Sequence, residues 1–150
     1  MNRKLNTEEI RRVSVDEYRR MAKIPLVLIL DNVRSMHNIG AVLRTADAFC
    51  IEKVVLCGIT ATPPNNEIHK SALGAEFSVC WEYSPEAQTP VRTLRDEGYR
   101  VLAVEQTQDS TPLGSLPIEG AAKYALVLGN EVSGVEQATI DLCDGSVETR

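Results

Sequence analysis

No run of eighteen apolar residues occurs in this 150-residue chain, and its amino terminus carries no apolar signal core. A membrane-spanning helix and a secretory leader are therefore not expected, and a cytoplasmic location is. Neither GxGxxG nor GxxxxGK(S/T) is present, so hydride-transfer and phosphate-loop enzymes lose their usual sequence support. The two histidines, His37 and His69, stand apart, and Cys50, Cys57, Cys80 and Cys143 form no CxxC pair. No metal site is expected, and the cysteines read as reduced core or near-core thiols.

The chain does have enough apolar content, 43%, for one domain with a proper core, and it is too short for two comfortable ones. A net charge of −5 argues by itself against a nucleic-acid partner. Its distribution argues differently. Residues 1–24 hold seven Lys or Arg against four acids, a net of +3 that leaves −8 for the remainder. A basic arm on an acidic body, with Arg11, Arg12, Arg19 and Arg20 in pairs, can contact an RNA phosphate backbone, or it can be a solvated helix of mixed charge.

Patterning predicts two short helical pieces in that arm, one after Thr7 over EEIRR and one after Ser14 over VDEYRRMA. Pro25 stops the helical pattern and LVLIL at 26–30 follows, a continuous apolar run of the kind buried on both faces in a parallel sheet. A helix at about 39–49 and KVVLCG at 53–58 complete a βαβ unit. Residues 60–67 are loop by composition, HKSALGA suggests a helical turn, and EFSVCWEY at 76–83 a third strand. Trp81 there packs in the core or stacks on a base. Pro85 opens a helix that ends at Gly98, and YRVLAVE at 99–105 and YALVLG at 124–129 are the fourth and fifth strands. The alternation predicts an α/β fold with a mostly parallel sheet and flanking helices.

Two polar stretches follow apolar strands. In DNVRSMHNIGAVLRTAD at 31–47, Asn38 and Gly40 are placed in a hinge and Arg44 in the helix beyond, at the edge of the sheet where ligands bind. Each also has a structural explanation: Asn38 as a helix cap, Gly40 as a point of close approach, Arg44 paired with Asp47. In GNEVSGVEQ at 129–137, Gly129 permits close approach of a ligand and Gly134 permits the turn into a helix.

Together the two stretches resemble a family. NIGAVLRTADAF at 38–49 is similar to the first signature of the SpoU-type RNA 2′-O-ribose methyltransferases, LVLGNEVSGV at 126–135 is similar to the second, and KSALGAE at 70–76 is in the same manner. The likeness covers about residues 26–148, with two signatures in order and about ninety residues apart. It implies a SPOUT-class (α/β-knot) fold over residues 25–150 behind the arm at 1–24, S-adenosylmethionine as methyl donor and a tRNA or rRNA ribose as acceptor. It also implies a homodimer with a knotted carboxyl-terminal region forming the cofactor pocket.

Carried onto this chain, the resemblance makes Asn38, Arg44 and Glu131 catalytic, and Val104, Leu128, Gly129 and Asn130 cofactor-binding. Arginine keeps its proton at ordinary pH, so Arg44 suits gripping a phosphate and stabilising a developing alkoxide better than simple base catalysis. DLCDGSVE at 141–148 resembles the lead-in to a third signature, and Arg150 is the last residue. The resemblance therefore implies a truncated domain with an incomplete knot and part of its dimer surface missing. The alternative function is a non-catalytic RNA-binding remnant or assembly factor; titration with S-adenosylmethionine separates the two.

Overall fold

A computed structural model describes residues 1–149. At its centre is a seven-stranded sheet in the order β3-β2-β1-β6-β4-β7-β5, comprising β1 Ile24–Asp31, β2 Ile51–Cys57, β3 Trp81–Ser84, β4 Tyr99–Val104, β5 Thr111–Pro112, β6 Lys123–Leu128 and β7 Gly145–Glu148. Every pairing is parallel. β1 lies between β2 and β6, in register from Val27 opposite both Lys53 and Ala125 to Leu30 opposite both Leu56 and Leu128. The unbroken apolar run of β1 is explained by that position, since alternate residues face opposite cores.

Those cores are two. Val27 and Ile29 join Val55, Val101 and Val127 beneath α5, Gln88–Asp96, which contributes Val91 and Leu94. Leu28 and Leu30 join Val54 and Leu56 beneath α2, Met36–Ala48, and α3, Asn66–Ala72, which contribute Ile39, Leu43 and Ile68. No helix among the described residues is long and apolar enough to cross a membrane. Trp81 is half-buried at the start of β3 and packs against the second core, the structural one of its two readings. Burial pushes the thiols of Cys57 up to about 12 and Cys143 up to about 11, which keeps them protonated. Cys80 departs from expectation, being exposed.

Several boundaries differ from the sequence reading. Ser14 caps α1, Val15–Arg20, as expected, but EEIRR forms no helix. Asn6 and Glu9 instead close a single turn, each accepting the other's backbone N–H, and the Glu9 carboxylate also pairs with Arg3. With no apolar face to bury, that turn gains nothing by propagating. Residues 75–78 form a helical turn, α4 (Ala75–Ser78), rather than strand. The Glu76 carboxylate accepts from the Gly74 N–H and pairs with His69 Nδ1 at 2.8 Å, which holds the turn where apolar pattern alone suggested extension. Beyond the five strands expected, β7 pairs with β4 and β5 with β7. A last short helix, α6, spans Gln137–Ile140.

Candidate active site

The carboxyl ends of β1, β4 and β6 share one edge of the parallel sheet, which brings the loops after them together. After β1, Asn32 takes a left-handed φ of 54° and its side-chain oxygen accepts from the Ile59 N–H, steering the chain toward α2. Ser35, not Asn38, caps α2, its hydroxyl accepting from the Asn38 N–H at 3.1 Å. Asn38 and Gly40 thus lie inside the helix and not in a hinge. Ser35 carries the usual cap signal, a small hydroxyl just before a helical pattern, three residues before Asn38, the cap expected from the sequence.

After β6, residues 130–134 close on themselves, with Asn130 N–H donating to Gly134 O at 3.1 Å and Gly134 N–H to Asn130 O at 2.8 Å. The Asn130 side-chain oxygen accepts from the amides of Val132 and Ser133. Gly134 has φ +68° and Gly129 sits so close to it that a Cβ on Gly129 would lie 2.3 Å from the Gly134 carbonyl carbon. The missing Cβ of Gly129 thus makes room for the chain's own turn, while Gly129 also lines the cleft beside that turn. Glu105, just beyond β4, was missed by the sequence reading; its carboxylate accepts from the Val135 N–H at 2.9 Å and anchors the far side of the turn. An acid directly after an apolar strand was the available signal.

The two signature loops are joined by named bonds. The Glu131 carboxylate accepts from the Arg34 N–H and the Ser35 N–H, both at 3.0 Å, and Asn130 Nδ2 donates to Asn32 O at 2.8 Å. Those backbone donors, with a smaller contribution from the Asn38 side chain, hold the Glu131 carboxyl below the usual carboxylate range. Asn38, Asn130 and Glu131 are therefore brought together. Arg44 makes no hydrogen bond to them among the described residues; it lies about two turns further along α2, about 9 Å on along the axis. It is exposed and forms no ion pair with Asp47 among the described residues; Asp47 Oδ1 accepts from the Ser78 hydroxyl instead.

Beside the joined loops is an open cleft of about 420 Å³ lined by Val104, Glu105, Leu128 and the 129–134 turn, so Val104, Leu128, Gly129 and Asn130 share one cavity. The basic residues are distributed differently. Arg11 and Arg12 are exposed and lie outside any helix, whereas Arg19 and Arg20 are in α1. That helix is docked rather than free, because Tyr18 is 7% exposed and its hydroxyl donates to Asp47 O at 3.0 Å, while Arg19 Nη2 donates to Phe77 O at 2.6 Å.

Comparison with known proteins agrees with this architecture. Residues 25–149 match the model of the SpoU rRNA Methylase family. The chain is 30% identical over 129 residues to the 23S rRNA (guanosine-2′-O-)-methyltransferase RlmB of Neisseria meningitidis, covering 86% of this chain and 50% of that protein. It is 26% identical over 140 residues to the tRNA (guanosine(18)-2′-O)-methyltransferase of Thermus thermophilus, covering 93% and 70%. The AdoMet-bound rRNA methyltransferase structure from Sinorhizobium meliloti superimposes with a TM-score of 0.77 at 22% identity, over 89% of this chain and 51% of that one, a likeness of fold. The chain spans about half the length of the curated rRNA relatives it matches. With the family model covering five-sixths of its length and both signature loops closed against each other, this chain belongs to the SpoU rRNA Methylase family.

Proposed function

We propose that the chain transfers a methyl group from S-adenosylmethionine to a ribose 2′-hydroxyl of tRNA or rRNA. The observation that carries this reading is the Glu131 clamp on the Arg34 and Ser35 amides, which fuses the two signature loops beside a cleft of ligand size. The relatives named above act on ribose hydroxyls of rRNA and tRNA, which supports the same acceptor here. The cleft fits the methyl donor: Val104 and Leu128 offer apolar walls, the main chain at 129–130 offers hydrogen-bonding groups, and the volume suits a nucleoside. When bound there, S-adenosylmethionine supplies an activated methyl group on a positively charged sulfur.

The chain's own residues then divide the remaining work. Arg44 is exposed and joined in no ion pair or hydrogen bond among the described residues, so its guanidinium is available to an RNA phosphate and to the charge developing on the ribose oxygen. Glu131 is a positioning residue under this reading, because a carboxylate stabilised by two backbone N–H donors is a weakened base. Asn38 orients the acceptor from the first turn of α2. Arg11, Arg12, Arg19 and Arg20 supply phosphate contacts.

A homodimer in the cytoplasm belongs to the same proposal. Its support is an apolar groove of about 330 Å³ running from the start of β1 across β6 and β4, where Ile24, Leu26, Leu102, Leu116, Ile118 and Leu126 converge. Sedimentation of the purified chain tests it. For the activity, transfer of tritiated methyl from S-adenosylmethionine to unmodified tRNA and rRNA is measured for the chain and for Arg44→Ala. The variant should lose at least about 100-fold in rate and keep its stability within about 0.5 kcal/mol, as an exposed side chain should. Near-normal transfer, or a collapse of the fold, overturns the role of Arg44. RNA retention without any binding of S-adenosylmethionine restores the non-catalytic alternative.

A further inference from the structure

A second cavity, of about 340 Å³, opens at the carboxyl end of β1 on the face that carries α5. Asp31 forms part of its wall, two residues past Ile29 and so on the same side of the strand, and is only 5% exposed. No hydrogen-bond donor reaches its carboxylate among the described residues, although all around it the loop groups are paired: Asn32 with Ile59 and Asn130, Val33 with Thr60. Since no fully buried side-chain oxygen among the described residues is left unpartnered, the unpaired Asp31 oxygens open onto the cavity. Glu86 and Glu136 add two more acidic residues to the lining, and no Lys, Arg or His among the described residues is part of it.

Burial, reinforced by the charge of Glu136, raises the Asp31 carboxyl above its ordinary range, the mark of an acid lacking its counter-ion. The amino terminus of α5 borders the cavity through Ala87 and Gln88, and no side chain among the described residues caps it. Its partial positive charge, about half a unit, offsets only a fraction of three carboxylates. Among the described residues no cluster of His, Cys, Asp and Glu has metal-site spacing, which favours an organic cation over a metal ion.

We propose that this cavity binds an alkylammonium or guanidinium group, whose N–H donors bond the Asp31 carboxylate and whose charge is shared with Glu136 and Glu86. Pro85 and Ala87 supply an apolar wall for the methylene chain of such a cation. The site is separate from the cleft lined by Val104 and residues 128–134, and it stands whether or not methyl transfer does.

Two sources carry this chemistry, a free polyamine and a Lys or Arg side chain of another polypeptide. Proton–nitrogen NMR of the labelled chain is followed during titration with spermidine, N-acetyl-lysine methylamide and N-acetyl-arginine methylamide, each against sodium chloride at equal ionic strength. Saturable shifts are expected at the amides of Asn32, Ala87, Gln88 and Thr139, beyond those that salt produces. The tighter-binding probe identifies the source. Asp31→Asn should weaken binding about tenfold, the loss of one charged hydrogen bond. Should that variant fail to fold, Glu136→Gln on the exposed rim should still weaken binding about threefold, a rim charge being worth less. Glu67→Gln, on the far surface and paired with Lys70, should change nothing. Shifts that match sodium chloride, or binding undiminished in the cavity variants that fold, overturn the proposal.

Discussion

Glu131 gives its negative charge to two amides that precede a helix, a favourable place for an acid and a poor one for a base. Its folded carboxyl titrates below the ordinary value of 4.5, so the clamp's contribution is fully present above that value and is lost as pH falls through the lowered one. Urea melts of the chain and of Glu131→Gln should therefore differ at pH 7 and converge toward pH 3, with the wild-type midpoint falling toward the variant's. A difference that stays constant over that range would mean the carboxylate does not hold the loops. The sequence disclosed Asn38, Asn130 and Glu131 because residue type and position at a strand end are local properties. Which residues they bond is not local: Arg34 and Glu131 are nearly a hundred positions apart, and no pattern in either stretch names a backbone amide in the other.

Among the elements, α2 and α3 meet at a glycine. In a helix, Gly40→Ala alone would gain up to about 1 kcal/mol. At this position the new Cβ would lie 2.0 Å from Ser71 Oγ and 2.4 Å from Ile68 O. Overpacking of that kind costs about 1–3 kcal/mol, so a net loss of about 1–2 kcal/mol is expected in thermal melts. Adding Ser71→Gly should not restore the lost stability, because Ile68 O is backbone and stays in place. A stabilised Gly40→Ala would show that α3 moves aside freely. Long, strongly patterned elements such as β1, β2, β4 and α5 were legible from sequence. Strand β7 was not: GSVE has neither the length nor the alternation of a strand, and it becomes one by pairing with Leu102–Val104 of β4. The helix α4 was hidden for the opposite reason, its apolar content imitating a strand while a buried Glu76 fixed the turn.

For the whole molecule, the contrast between a basic amino-terminal arm and an acidic body carries a binding prediction. Replacing Arg11, Arg12 and Arg20 with Gln should reduce the slope of log affinity for RNA against log salt, by about one unit for each phosphate that is no longer neutralised. Arg19 is left in place because it also holds Phe77 O, and its loss would loosen α1. An unchanged slope returns the arm to a docked, solvated segment. The strand order has a further consequence, for the way the chain is made. β1 takes β6 as a neighbour, so one edge of Leu26–Leu30 waits for about a hundred further residues to be synthesised, about 5–20 s at ribosomal speed. During that interval the most apolar strand of the protein is half-paired, a substrate for chaperones or for edge-to-edge association. Nascent chains arrested just after β4 should then be cut by protease near β1, and chains arrested with β6 fully emerged should resist. Equal protection at both lengths would show that something other than β6 shields that edge on the ribosome.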